Sequence, residues 1–216
     1  MGPSVRQMIF QEVDQPNTSV PLTKENERRE YRNVSWNTML FDYGVNLMKE
    51  ECINIQIKVH RATKTDSQSI LDLWKGSARW IQSKGINQWN PDHFNINQVH
   101  ECFDSGFEFY LARMNGEVVG TFYICWSDPI LWEELDNNNS GYIHRFAVSR
   151  AHIGSGIGRQ LINWAEVYIR NSGKNIRLDC MAKNARLNRY YIDMGYKHIR
   201  YIEWKNGWKI NLYEKY

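Results

Sequence analysis

From Ile53 onward the apolar positions of the chain switch repeatedly between two spacings. Ile55, Ile57 and Val59 alternate with polar residues and predict a strand; Ile70, Leu71 and Trp74 then recur at helical spacing behind the capping pair Thr65-Asp66. A second helix is predicted from about Ile96 to Phe103, beyond the loop Lys84 to Pro91. Phe107 to Arg113 and Glu117 to Trp126 read as strands joined across Asn115-Gly116, a pair that tolerates positive φ and marks a hairpin. An acidic, asparagine-rich stretch, Asp128 to Asn139, leads to a third hairpin-linked strand, Tyr142 to Val148. Ile157, Leu161, Trp164, Ala165, Tyr168 and Ile169 mark a helix closed by Ser172-Gly173. The next strand, Ile176 to Cys180, is reached by that helical crossover, which implies a parallel pair. Asn184 caps a helix carrying Leu187, Tyr190, Tyr191 and Met194, and Tyr196 to Trp204 with Trp208 to Tyr213 form a closing hairpin over Asn206-Gly207. The expected fold class is α/β with a mixed sheet: antiparallel at its start, one parallel pair, and a C-terminal hairpin.

Residues 1–51 differ in character. Pro3, Pro16 and Pro21 accompany a charged run from Lys24 to Arg32, with no sustained period of two or ~3.6 residues. The segment is expected to be an extension to a domain over 52–216. Met48 stands directly before the first convincing strand as an alternative start, part of the leader then being an artefact. The rival is a genuine arm, with Trp36, Met39, Leu40 and Phe41 as a docking patch.

With 216 residues, 42% of them hydrophobic, the chain can bury a core. A formal charge of +3, with both signs interspersed, gives no electrostatic case for nucleic acid. Cys52, Cys102, Cys125 and Cys180 lie far apart and form neither metal-ligand pairs nor a disulfide framework, so reduced thiols in a cytoplasmic protein are expected. No apolar run approaches the roughly 20 residues that span a bilayer, and no partner beyond a small molecule or a second copy in a homodimer is suggested.

The strand Tyr142 to Val148 runs into Gly154-Ser155-Gly156-Ile157-Gly158 and then a helix. This order builds an anion site, because the first amides of a helix lack partners and glycine lets a phosphate approach the backbone. A glycine turn that merely reverses the chain is the plain alternative. A P-loop is excluded by its missing Lys-Ser/Thr, and the dinucleotide fingerprint fails because the third glycine comes one residue early. Asp179 does end the next strand where a ribose ligand would sit, but hairpin-linked strands precede the loop, whereas a dinucleotide fold begins with its glycine-rich βαβ unit.

These residues resemble the GNAT superfamily of acyl-coenzyme A-dependent N-acyltransferases. Ile153-Gly154-Ser155-Gly156-Ile157-Gly158 is similar to the family signature, Gln or Arg, two residues, Gly, one residue, Gly or Ala; Ile153 departs from it at the first position. Asn184, Tyr191, Gly195 and Tyr196 match a second signature. The resemblance covers Ile53 to the C-terminus and implies acetyl-CoA as cofactor. It places Phe146, Ala147 and Val148, the loop residues Ile153, Gly154, Ser155, Gly156, Ile157, Gly158 and Arg159, and Asn184 and Asn188 around that cofactor, with a backbone N–H near Val148 polarising the thioester carbonyl.

Strand alternation puts Tyr142, His144 and Phe146 on one face and Ile143, Arg145 and Ala147 on the other. By resemblance His144 is the base that deprotonates an amine, and imidazole chemistry suits that task near neutrality; a hydrogen-bonded sheet histidine is the alternative. Tyr191 is implied as the acid that protonates the leaving thiolate, against a core aromatic like Tyr190. Trp80, Trp89, Trp126 and Trp132, with Asp128, Glu133, Glu134 and Asp136, suit a cationic amine; packed tryptophans and a solvated loop are the alternative. Trp80, Trp89 and Tyr142 are the expected substrate contacts. Cys180 as an acyl-carrying nucleophile has no second motif behind it. The expected activity is transfer of an acetyl group to a primary amine of a small molecule by direct attack in a ternary complex. A non-catalytic acyl-CoA sensor and a protein or peptide N-terminal acetyltransferase stand as alternatives.

Overall fold

Among the described residues, seven strands form one sheet in the order β1-β2-β3-β4-β5-β7-β6. The computed structural model describes residues 56–86, 88–204 and 207–216. The leader 1–51, its Met48 start and its Trp36 to Phe41 patch lie outside these residues, as do Cys52, the expected strand start at Ile53 to Ile55, and Asn206 of the last hairpin. The strands are β1 (Lys58–Arg61), β2 (Glu108–Met114), β3 (Glu117–Cys125), β4 (Ser140–Val148), β5 (Asn175–Met181), β6 (Lys197–Glu203) and β7 (Lys209–Lys215). The helices are α1 (Ser67–Ser83), α2 (Ile96–Asp104), the short α3 (Pro129–Trp132), α4 (Ile157–Asn171) and α5 (Ala185–Asp193).

Local chemistry sets several boundaries. Asn95 caps α2 reciprocally: its side chain accepts from the Gln98 N–H at 3.1 Å and the Gln98 side chain accepts from the Asn95 N–H at 3.1 Å. Asn115 and Gly116 turn the β2–β3 hairpin at φ 52° and 86°, as two left-handed central residues require. The last hairpin forms as expected, but β7 lies inside it, paired to β5 and β6 at once. The reason is apolar content: Ile210, Leu212 and Tyr213 of β7 are buried, whereas most of β6 is exposed.

Helix α4 crosses from β4 to β5, which pair in parallel. It lies on one face of the sheet, where Leu161, Ile162, Ala165 and Ile169 are fully buried among strand residues such as Phe122 and Ile143. Two strand glycines permit this approach. A Cβ on Gly120 would come 2.8 Å from Leu161 Cδ2, and one on Gly141 would come 2.8 Å from the Trp126 ring and 2.9 Å from Ile169. The other face carries α1 and α2 over Trp74, Phe94, Phe109 and Tyr123.

The acidic stretch after β3 is folded rather than merely solvated. Arg177 of β5 pairs with Glu214 at 2.6 Å, donates to Tyr142 Oη at 3.0 Å and to the Leu135 carbonyl, and lies over the Trp132 ring at 4.5 Å. These contacts tie the stretch to the sheet.

Strand β4 departs from simple alternation. Ala147 pairs with Thr121 and His144 with Tyr123, so β4 spends one residue more than β3 over this interval. The bulge centres on Arg145, at φ 51°. It corrects the expected faces: His144 stacks on Tyr123 at 5.3 Å, whereas Phe146 stacks on Phe122 at 6.1 Å, on the α4 side. Phe146 therefore lies on the face opposite His144, because the inserted residue restarts the alternation.

Candidate active site

β4 and β5 stay paired only from Ser140 with Asn175 to Ile143 with Leu178, and then part. A pocket occupies the opening, lined from β4 by His144, Arg145 and Phe146, from β5 by Asp179 and Cys180, and from α5 by Tyr191. Past the end of β4 the chain turns through Gly154 and Gly156, at φ 82° and 79°, into α4. A Cβ on Gly158 would touch only Val148 Cγ2, at 3.8 Å. The first-turn N–H groups of Ile157, Gly158 and Arg159 have no intrahelical acceptors and a glycine-lined approach. Amides arranged in this way can accept phosphate oxygens. Ile153 is exposed beside them.

His144 is almost enclosed and sits between two carboxylates. Its Nε2 lies 3.1 Å from Asp128 Oδ2, off the line of an ideal hydrogen bond, and its Nδ1 lies 3.5 Å from Asp179 Oδ1. Asp128 is fully buried and serves through both oxygens, since Oδ1 accepts from the Leu131 N–H at 3.2 Å and caps α3. Asp136 holds Asp128 in turn, accepting from the Asp128 N–H at 2.8 Å and the Ser127 hydroxyl at 2.6 Å.

Tyr191 packs among the rings of Tyr190, Tyr196 and Tyr213 at 5.6, 5.7 and 6.1 Å. Burial first, then the neighbouring Cys180 and Asp179, push its phenol well above the usual tyrosine range, so it holds its proton at neutral pH. Burial and the Asp179 charge push the Cys180 thiol up to about 12. Nucleophilic thiolate is therefore scarce at Cys180 at neutral pH.

The Acetyltransferase (GNAT) family matches residues 68–196, more than half of the chain. This chain belongs to the GNAT acetyltransferase family. It is 32% identical over 146 residues to the N-acetyltransferase YesJ of Bacillus subtilis, an alignment covering 64% of this chain and 80% of YesJ. A GNAT-family acetyltransferase from Listeria monocytogenes, 32% identical, superposes with a TM-score of 0.61 over 74% of this chain and 94% of its own. YncA of Salmonella typhimurium, solved with its cofactor acetyl-CoA, shares the fold at 15% identity, with a TM-score of 0.56 over 74% of this chain and 92% of YncA.

Within this GNAT domain the residues singled out in the sequence fall into two groups. His144, Tyr191 and Trp89 line the pocket, and so does Phe146. Ile153 to Arg159 form the glycine turn and the first turn of α4, and none of them lines the pocket. Tyr142 does not reach the pocket: it is fully buried, with its hydroxyl held by Arg177 and the Asn137 N–H. Asn188 is saturated. Its amide donates to the Met181 and Asn184 carbonyls at 2.9 and 2.7 Å, and its Oδ1 accepts from Asn211 and Tyr213 at 2.6 and 2.7 Å, so it braces α5 against β5 and β7. Asn184 uses its side-chain oxygen to cap α5 at 3.1 Å. Trp80 supports a different cation, the Arg150 guanidinium at 4.5 Å, which also reaches Ser77 Oγ at 3.4 Å.

The acidic and aromatic set expected for amine recognition is dispersed. Trp126 donates to Glu108, Trp132 is buried under Arg177, and Glu134 pairs with Arg200 at 2.6 Å. Asp128 belongs to the site for a reason composition does not reveal, its contact with His144. The Asp128-Pro129 step is a legible helix-start signal, with proline at the first helical position. Arg145 was visible only as a strand residue, and Asp179 only at the strand end where a dinucleotide fold would hold a ribose. No helix among the described residues is long and apolar enough to cross a membrane.

Proposed function

We propose that this GNAT acetyltransferase uses acetyl-CoA to acetylate the primary amine of a small molecule, by direct attack of the amine on the thioester. The observation that carries this reading is His144, held between Asp128 and Asp179 in the opening that Tyr191 also lines. The start of α4 fits the cofactor, because three first-turn amides and an approach free of side chains suit a pyrophosphate. Bound there, acetyl-CoA supplies an acetyl group activated as a thioester.

The chain's own residues do the rest. Ile157, Gly158 and Arg159 hold phosphate oxygens through their N–H groups. Beyond Ile143, β4 has no strand partner on its β5 side among the described residues, so backbone donors on that edge face the opening, where a carbonyl oxygen gains from them as charge develops. His144 takes the amine proton, and Asp128, at 3.1 Å from Nε2, stabilises the resulting cation. Tyr191 gives its proton to the departing sulfur. One N–C bond forms and one C–S bond breaks; the proton taken by His144 is released to solvent, the Tyr191 phenolate regains one from solvent, and no covalent enzyme intermediate is needed.

The test is thiol release from acetyl-CoA with a panel of small amines, with products identified by mass. His144→Ala should remove the acidic limb of the kcat/KM profile for an amine of high pKa, or move it to that of a substitute water pathway. Coenzyme A binding without acetylated product from any amine would overturn the reading in favour of a sensor, and acetylation of peptide N-termini alone would overturn the small-molecule acceptor.

A further inference from the structure

The two carboxylates that face His144 each run directly into apolar residues of the same pocket. Asp128, whose Oδ2 lies 3.1 Å from His144 Nε2, is followed by Pro129, Ile130 and Leu131, and the last two line the pocket. Asp179, whose Oδ1 lies 3.5 Å from His144 Nδ1, shares one face of β5 with Met181, two residues on, because the side chains of a strand alternate. Met181 pairs across the sheet with Ile210 of β7, and both line the pocket. Leu131, Met181 and Ile210 pack in one cluster, so three segments far apart in sequence meet as a hydrocarbon wall beside the proton-transfer centre. Ile130 lines the pocket too: it is half-buried, yet it belongs to none of the three apolar clusters among the described residues.

From this juxtaposition we infer that the acceptor is a primary amine on a hydrocarbon chain, and that Ile130, Leu131, Met181 and Ile210 cover that chain. The inference rests on the N-acetyltransferase reading above and narrows its acceptor. An amine arrives as a cation, and Asp128 and Asp179 draw its nitrogen to His144. With the nitrogen held there, the carbons that follow it meet the wall. Apolar contact at this place also keeps water from His144, which strengthens the attraction of Asp128 for the imidazolium that forms. A hydroxyl or a second amine carried against the wall would lose its water and gain no partner. The polar side chains of the pocket come instead from α1, α2 and the loop between them, and several are engaged locally. Asn90 Oδ1 accepts from the Asp92 N–H at 3.0 Å, Asn90 Nδ2 lies 3.2 Å from His93 Nε2, and Gln98 Oε1 accepts from the Asn95 N–H at 3.1 Å. Arg145 lies with them, over the rings of Trp74, Trp89 and Phe94 at 5.4, 5.3 and 5.1 Å.

The experiment uses unbranched primary amines from ethylamine to hexylamine, with 3-amino-1-propanol and 5-amino-1-pentanol as partners of butylamine and hexylamine in which a hydroxyl replaces the terminal methyl. The wild-type full chain and Ile130→Asn are assayed by thiol release from acetyl-CoA, with product mass. In the wild type kcat/KM should rise by about 2- to 4-fold per added methylene, as burial of one CH2 implies. Each alkylamine should exceed its hydroxyl partner by about 5-fold or more. In Ile130→Asn the ratio of kcat/KM for hexylamine to that for ethylamine should fall by roughly 3- to 10-fold. The wild-type series needs no variant, so a misfolded Ile130→Asn leaves the inference testable. A series that is flat or falls with chain length, or a preference for the amino alcohols, overturns the inference and leaves the acetyltransferase reading intact. A folded Ile130→Asn that keeps the wild-type ratio also overturns it. A protein that binds coenzyme A but acetylates no member of the panel overturns both.

Discussion

Asp128 does two jobs through two oxygens, and two substitutions separate them. Asp128→Asn keeps an oxygen to accept the Leu131 N–H, now 3.2 Å from Oδ1, but removes the charge 3.1 Å from His144 Nε2. Asp128→Ala removes both. Opposite unit charges at that distance attract by about 5 kcal/mol at an effective dielectric of ~20, and by just over 1 kcal/mol in bulk water. Desolvation of the buried carboxylate offsets part of the larger figure. The net loss expected when His144 takes a proton without its partner is about 1.5–3 kcal/mol, roughly 10- to 150-fold in kcat/KM. Both variants should show it, with the KM for acetyl-CoA little changed. Only Asp128→Ala also loses the cap, so it should be less stable than Asp128→Asn by about 1 kcal/mol, a difference of roughly 2–4 °C in Tm. Steady-state kinetics with a fixed amine and a thermal melt of each variant suffice. Asp128→Asn turning over at the wild-type rate would refute the role of the charge, and equal melting temperatures would refute the division of labour between the oxygens.

Three further outcomes are expected. Tyr191→Phe should lower kcat by about 100-fold or more while leaving acetyl-CoA affinity nearly unchanged, because the ring still packs and only the proton donor is lost; full kcat removes the acid assignment. Coenzyme A at about 100 times its dissociation constant should stabilise the protein by about 2.7 kcal/mol, read as a rise in Tm. Gly158→Asp should abolish that rise while still folding, since its Cβ meets only Val148 at 3.8 Å; calorimetry showing normal affinity counts against a phosphate site there. Gly141→Ala, whose Cβ would sit 2.8 Å from Trp126 and 2.9 Å from Ile169, should cost about 1–3 kcal/mol in urea unfolding, and wild-type stability would show that α4 shifts freely.

The order and type of the elements were legible in the sequence because each rests on a local cause. Helical spacing in Ile157 to Ile169, the Asn184 cap, and the Asn115-Gly116 turn act over a few residues and need no distant partner. The glycine loop was legible for the same reason, since amides at a helix start attract anions whatever the rest of the chain does. The strand order was only partly legible: hairpin partners follow from short connections, but the place of β7 between β5 and β6 depends on which strand buries more apolar surface against the whole sheet. The site itself was decided by tertiary structure. Alternation placed Phe146 with His144 until one inserted residue, visible only against the register of β3, put Phe146 on the far face and Arg145 beside His144. The family resemblance placed Asn188 at the cofactor, yet Asn211 and Tyr213, distant in sequence, occupy its oxygen. Asp128 shows the same limit. Composition grouped it with the other carboxylates of its stretch, and only the fold, by tying that stretch down through Arg177 and Asp136, aims one of its oxygens at His144. Propensity, capping and turn chemistry are short-range and survive in a one-dimensional pattern. Which polar groups satisfy one another is a long-range competition for few partners, and it is settled only when the chain has closed on itself.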